Sequence, residues 1–344
     1  MTLPSPAAAA PSRDAQSVAR LTEMADYIVP FTLRAVCDLG VADLLADGPR
    51  PVRELARETG TDPRALLKAL RALAGRGVFS EPEPEAFALT DLGQPLRSDH
   101  PRSLRDAYPF IPADIQAWAS LPHSLRTGKA AFDHAHGRDY WAYMAEHPDE
   151  SARFDASQRA VTRREVRTLL PAYPWSRFGT VADVGGGNGA FLAALLDANP
   201  GMRGVLFDQP HVVAAAGPVL AAAGVADRCT VVGGSFFASV PSGADAYVLK
   251  RALYDIGDDD RALEVLRAVR AAMSPDARLL VIEPLSEPGD AFSWGKLYDL
   301  LLLVMRGGGG RSRARLEELM ATAGLRLTGV VRTRGLPIVE ARPR

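Results

Sequence analysis

One heptapeptide, Asp183-Val-Gly185-Gly186-Gly187-Asn188-Gly189, restricts the fold of this chain more than any other feature. Its glycines separate an aliphatic run, TVADV, from an Ala- and Leu-rich stretch that starts near Ala190. A glycine turn that leaves a buried strand and opens a helix is the signature of a doubly wound α/β sheet. There the bare backbone admits ligand atoms, and the helix N-terminus presents free amides to a carboxylate or phosphate. The surroundings agree. From Gly179 onward the runs TVADV, GVLF, CTVVG, AYVL and RLLVIEP alternate with helical stretches, and LRLTGVVRT and GLPIVEAR close the chain around a tight turn. This pattern predicts a Rossmann-like parallel sheet with both faces covered, closed by a hairpin that adds an antiparallel edge strand.

The first half reads differently. Between Asp14 and about Pro171 the periodicity is helical nearly throughout, broken by Gly and Pro. Within it, PVRELARETG and TDPRALLKALRALAGRGVFS predict two short helices, the second capped by Thr61 or Asp62 with Pro63 in its first turn. A ribbon follows, Val78 to Ser80 and Phe87 to Leu89, around the turn EPEPE. That is a winged helix, so the expected division is a disordered tail over 1–13, a mainly α-helical winged-helix domain over 14–172 and an α/β domain over 173–344. A winged helix raises DNA binding as a function. Arg64, Lys68, Arg71 and Arg76, however, are offset by Glu54, Glu58, Asp62 and the acidic wing tip, which leaves no basic stripe. The net charge of −1 provides no field to recruit nucleic acid or an anionic membrane. Two distant cysteines, Cys37 and Cys229, lack the spacing of a metal site and suit a reducing cytoplasm, and no stretch has membrane-spanning length.

The glycine spacing alone leaves two ligands open. Gly185, Gly187 and Ala190 satisfy a dinucleotide fingerprint, with Asp208 about twenty residues on to hold ribose hydroxyls. Asp183 favours the other ligand. An acid two residues before the first glycine repels a diphosphate but attracts S-adenosylmethionine, whose amino group and sulfonium are both cationic.

Further landmarks, FDQPHVV (207–213), VGGSFF (232–237), LKRALYDIGDDD (249–260), VIEP (281–284) and MRGGGGRSRARLEELMATAGL (305–325), resemble in order and spacing those of the plant and bacterial small-molecule O-methyltransferases. These carry a winged-helix dimerisation domain ahead of a class I methyltransferase domain, and the similarity spans everything after the tail. The resemblance implies a homodimer that uses S-adenosylmethionine. Gly185, Gly187 and Asp183 would line the methionine part, Asp208 would hold the ribose, Phe236 would pack on the adenine and Lys250 would lie beside the cofactor. Phe132, Tyr140, Trp141, Met144, Phe154, Gln158, Trp294, Tyr298, Leu301 and Met305 would wall an apolar acceptor pocket. Met24 and Tyr27 would reach the partner's pocket.

The chain departs from the family at three positions. The acid that holds the adenine amino group in relatives is Ser235 here. The general-base His is replaced by Tyr254. Of the two carboxylates flanking that base, one is retained as Glu283 and the other is Gly310. A general base supplies about 10²–10⁴-fold, and Tyr, with a pKa near ~10, is a poor one at neutral pH. Tyr254 with Glu283 could orient the acceptor oxygen, and His136, best placed among His123, His134, His136 and His147, could replace the base. The resulting expectation is O-methylation of a phenolic, polyketide-derived aromatic natural product, free or tethered to a carrier protein. The alternative is a relative that keeps the cofactor site and performs another reaction, such as a hydroxylation or rearrangement. No metal site is expected.

Overall fold

A computed structural model describes residues 12–344, which form two compact units divided between Phe110 and Ile111. The tail expected over 1–13 lies outside the described residues up to position 11. Arg13 already belongs to a helix: the Ser12 hydroxyl accepts from the Ala15 amide and caps Arg13–Ala25.

In the first unit, helices Ile28–Asp38, Val52–Thr59 and Pro63–Ala74 surround a three-stranded sheet of β1 (Arg50–Pro51), β2 (Phe79–Glu83) and β3 (Ala86–Leu89), ordered β1-β3-β2. Asp62 accepts from the Ala65 amide and Pro63 takes the first helical position, as the sequence pattern requires. Leu55, Leu66, Leu70 and Leu73 on the helices meet Phe79 and Phe87 on the strands in one buried core. The wing is longer than expected. β2 runs into EPEPE as far as Glu83, and the turn is carried by Glu85 in the left-handed region at φ 63°. β1, two residues long and holding a Pro, gave no periodic signal. Arg71 is paired with Glu81, and Arg76 with Glu23.

The second unit begins with five helices, Pro112–Ala119, Leu121–Thr127, Ala131–His136, Tyr140–Glu146 and Pro148–Leu169. The sequence placed these with the winged helix. They fall in the sheet-bearing unit because Ile111, Phe132, Tyr140 and Met144 are buried together with Val304 and Met305 of helix Trp294–Arg306. The seven-stranded sheet contains β4 (Thr180–Val184), β5 (Arg203–Asp208), β6 (Cys229–Gly233), β7 (Ala246–Lys250), β8 (Arg278–Ile282), β9 (Leu325–Val331) and β10 (Ile338–Pro343), in the order β6-β5-β4-β7-β8-β10-β9. Successive residues of a strand enter cores on opposite faces: Ala182, Tyr247 and Leu279 lie on one, Val181, Val248 and Leu280 on the other. Burial on both faces explains the near-continuous apolar runs. The hairpin corrects one expectation. The antiparallel strand β10 lies inside the sheet, between β8 and β9, so β9 is the edge. No helix among the described residues is long and apolar enough to cross a membrane.

The heads of β4, β5, β7 and β8 share one edge of the sheet because these strands are parallel. Strand order reverses at β4, and the crevice at such a reversal is where doubly wound sheets bind ligands.

Candidate active site

At the head of β4 the chain turns into helix Ala190–Ala198 through Gly185, Gly187 and Gly189, all left-handed at φ 73°, 62° and 79°. Side chains are excluded for a second reason. A Cβ on Gly185 would stand 3.1 Å from the Ala252 Cβ and 3.4 Å from the Phe236 ring, and one on Gly186 would stand 2.6 Å from an Asp183 oxygen. The result is a cradle with bare backbone. Asp208, at the head of β5, accepts from the Gly187 amide at 2.9 Å and from the Gln209 amide at 2.7 Å, which anchors it over the loop. Asp183 is buried beneath, and neither of its carboxylate oxygens has a hydrogen-bond partner. Burial pushes its pKa up to about 7, against the opposing pull of Lys250 and with a further upward push from Asp208. An unanswered buried carboxylate under a bare amide loop calls for a cationic ligand group. Ser235 accepts weakly from the Phe237 amide at 3.4 Å.

At the heads of β7 and β8 the site is made of side chains. Lys250 and Arg251 share one carboxylate, Glu165 of helix Pro148–Leu169, at 2.7 and 2.6 Å, with all three side chains largely buried. Arg251 is left-handed at φ 56°, a conformation rare for a residue with a Cβ. The kink directs its guanidinium over the rings of Tyr254 and Tyr298, 5.5 and 5.1 Å from their centroids, and its Nη1 donates to the Tyr254 hydroxyl at 3.4 Å. Burial, foremost, pushes the Tyr254 phenol up to about 12. Glu283, just past β8, accepts the Tyr254 amide at 3.0 Å, its other oxygen is unpartnered, and burial raises its pKa to about 7. Arg311 secures the segment: buried, it donates to the carbonyls of Leu253, Ile256 and Gly309 and to Asp259. A Cβ on Gly309 would stand 1.9 Å from the Tyr254 carbonyl oxygen, which explains a glycine there.

Residues 118–326 match the O-methyltransferase domain and residues 22–99 the O-methyltransferase dimerisation domain. Phenazine O-methyltransferase PhzM of Lysobacter antibioticus is 42% identical over 319 residues, 92% of this chain and 93% of that protein. The chain belongs to the O-methyltransferase family. Among solved structures, LaPhzM is similar with a TM-score of 0.88 at 41% identity, covering 96% of this chain and 99% of that one. NcsB1 from neocarzinostatin biosynthesis, in complex with S-adenosylmethionine and 2-hydroxy-5-methyl naphthoic acid, is similar with a TM-score of 0.80 at 33% identity, covering 94% and 98%.

As a member of this family the protein is an S-adenosylmethionine-dependent methyltransferase, and the cradle fits that cofactor. Asp183 offers a carboxylate to its cationic groups, Asp208 ends the neighbouring strand, and the Phe236 ring lies beside Gly185.

The pocket residues inferred from the resemblance fall into three groups. Phe132, Tyr140, Met144 and Met305 are buried in one cluster, with Phe154 and Leu301 packed against it. Trp141 is exposed and borders it, with Arg306 over the Tyr140 and Trp141 rings at 4.9 and 4.4 Å. Trp294, also exposed, packs on Tyr298, whose ring lies under Arg251. Gln158 points outward and is exposed. Met24 and Tyr27 are exposed on the first unit. His136 is engaged elsewhere, bonding the Ala113 carbonyl at 3.0 Å and packing on Phe132 and Tyr143, and among the described residues no contact joins it to Tyr254 or Glu283.

Three residues escaped the sequence reading. Arg251 and Glu165 form the ion cluster beside Tyr254, yet they are 86 positions apart, and Glu165 carries no motif. Asp299 is the third. A Cβ on Gly310 would stand 2.5 Å from its carboxyl group, so an acid from the helix lies against the position where the family's second carboxylate is absent. Only Arg251, next to the singled-out Lys250, could have been noticed, as a second cation at a strand head.

Proposed function

We propose that the enzyme O-methylates a phenolic hydroxyl of an aromatic natural product, and that this acceptor ionises without help from a protein base. The observation that carries the reading is the Tyr254 hydroxyl, which burial and its neighbours keep protonated far above neutrality. A group with a pKa near 12 donates a hydrogen bond and does not remove a proton at pH 7. Its oxygen accepts from Arg251, which leaves its own proton for the acceptor oxygen. Glu283 accepts a hydrogen bond from the Tyr254 backbone amide, and Arg311 locks the loop that carries Tyr254 through the Leu253 carbonyl. The bound cofactor supplies an electrophilic methyl group, and the task left to these residues is alignment, which is worth on the order of 7–11 kcal/mol for a well-positioned pair. Phe132, Tyr140, Met144, Phe154 and Met305 supply an apolar wall suited to a flat ring system, in keeping with the phenazine and naphthoic acid named for its relatives. The dimerisation domain supports a homodimer. The free Cys37 and Cys229 suit work in a reducing cytoplasm, and the acceptor would be free or carrier-bound.

Incubation with methyl-labelled S-adenosylmethionine and a panel of hydroxylated aromatics of graded acidity tests this. Label should enter phenols with depressed pKa values, such as hydroxyquinones and nitronaphthols, at least about tenfold faster than simple naphthols. Tight cofactor binding without transfer to any of them would point to a reaction other than methylation.

A further inference from the structure

We infer that Arg251 is the anion anchor of the acceptor site, binding the charged oxygen of an ionised hydroxyaryl substrate such as a phenolate or an aryl carboxylate. The inference rests on the reading of the acceptor as an ionised phenol, and extends it by naming the group that selects for charge.

The argument is one of charge balance. Lys250 and Arg251 are two cations confined with a single carboxylate, Glu165, and all three side chains are nearly withdrawn from solvent. One positive charge is left over. Two buried carboxylates feel it, Asp183 through Lys250 and Glu283 through Arg251, but neither forms an ion pair with the cluster, and burial raises both so that each carries only part of a charge near neutrality. Asp255, whose charge acts on Arg251's surroundings, is already paired with Arg306. Glu283 gives one oxygen to the Tyr254 amide, and Asp183 faces the cofactor loop. An unbalanced buried cation is costly, and a site that keeps one is completed by an anionic ligand. The backbone points the same way. Arg251 holds the left-handed conformation at φ 56°, of a kind that costs roughly 1–3 kcal/mol and persists where the surroundings impose it. That cost places a flat guanidinium between two tyrosine rings, with Nε and Nη2 committed to Glu165 and Nη1 making only the long bond to the Tyr254 hydroxyl. A planar fork with one side free is suited to a carboxylate or phenolate.

The test compares Arg251→Met and Arg251→Lys with the wild-type enzyme. Removal of Arg251 leaves Glu165 still paired with Lys250, so Arg251→Met should fold, which a thermal melt checks, and Arg251→Lys keeps the charge if it does not. Two readouts are needed. In calorimetry on protein saturated with S-adenosylhomocysteine, 2-naphthoate, which carries no hydroxyl to methylate, should bind the wild type, bind Arg251→Met about 10- to 100-fold more weakly, and be partly restored in Arg251→Lys. In turnover, the KM for 1-hydroxy-2-naphthoate should rise by a similar factor in Arg251→Met, while that for 1-naphthol changes less than about threefold. Equal loss for the charged and neutral acceptors, unaltered 2-naphthoate binding in the variant, or no 2-naphthoate binding to the wild type would overturn the inference. The calorimetric arm needs no methyl transfer, so it gives its answer even if turnover of every phenol fails.

Discussion

At the heads of β4 and β5 the site is built of backbone, whereas at the heads of β7 and β8 it is built of side chains, and the two halves tolerate change differently. Each contains one fully buried carboxylate with a pKa raised to about 7, Asp183 in the first and Glu283 in the second. Asp183 has no hydrogen-bond partner among the described residues, while Glu283 spends one oxygen on the Tyr254 amide. The first half therefore waits for a ligand charge that every member of the family must bind, and its glycines cannot vary without strain. The second half meets an acceptor that differs from relative to relative. There the chain carries Tyr254 and Gly310, where the family resemblance leads one to expect a His and an acid, and Arg311 ties down the loop that holds Tyr254.

The largest effect should come from breaking the backbone half. Gly185→Val imposes a branched side chain on φ 73° and drives it to 3.1 Å from Ala252. Left-handed strain of about 1–3 kcal/mol plus the steric clash should weaken S-adenosylhomocysteine binding at least about 100-fold by calorimetry. Affinity within a few-fold of wild type would mean that the loop does not hold the cofactor.

Asp183→Asn should have a smaller effect but sharpens the contrast through pH. A cation favours ionised Asp183, so cofactor affinity in the wild type should fall as the pH drops below about 7 and the carboxyl group protonates. The variant should bind roughly 10-fold more weakly at pH 8, with that pH dependence flattened; Glu283→Gln should leave it in place. Stability moves in the opposite direction. Because the folded pKa lies above the ordinary carboxyl value, Asp183 stabilises the cofactor-free fold fully only near pH 4 and below, and that contribution is lost as the pH rises to about 7. Cofactor-free Asp183→Asn should accordingly melt higher than wild type at pH 8, and a lower melting temperature there would contradict the account of an unanswered buried charge.

The same contrast explains what could be read from the sequence. Backbone devices are local, so they are legible: three positive-φ glycines in DVGGGNG, the Asp62–Pro63 helix start, and the strands TVADV and CTVVG, whose observed limits are the limits of the runs themselves. Side-chain constellations are not local. Glu165 approaches Arg251 from a helix whose pattern says only that one face is buried, and Asp299 reaches position 310 through the packing of helix Trp294–Arg306. The division between compact units falls elsewhere than the sequence pattern alone suggests, for a related reason. Helical periodicity is identical whether a helix buries its face against the winged helix or against Val304 and Met305, and only the partner differs. The position of β10 inside the sheet likewise depends on the pairing of β10 with β8, which no local alternation encodes.

The smallest effect, and the most informative about the variable half, is expected from Tyr254→Phe. The ring is buried and Glu283 binds the backbone amide, so neither packing nor the loop should change when the hydroxyl is removed. What is lost is a hydroxyl whose bond from Arg251 is already long at 3.4 Å, and with it one donor to the acceptor oxygen. A single hydrogen bond to a charged oxygen is worth about 1.5 kcal/mol or somewhat more, so kcat for an ionised phenol should fall about 10-fold, with cofactor affinity unchanged. A fall of 10³-fold would require Tyr254 to act on the proton itself, in conflict with its raised pKa. Unchanged turnover would reduce it to a filler of the space once held by the base and leave Arg251 alone to hold the oxygen. Either result would move the division between the two halves of the site by one residue, because it would show whether chemistry at the head of β7 is directed by a hydroxyl group or by charge alone.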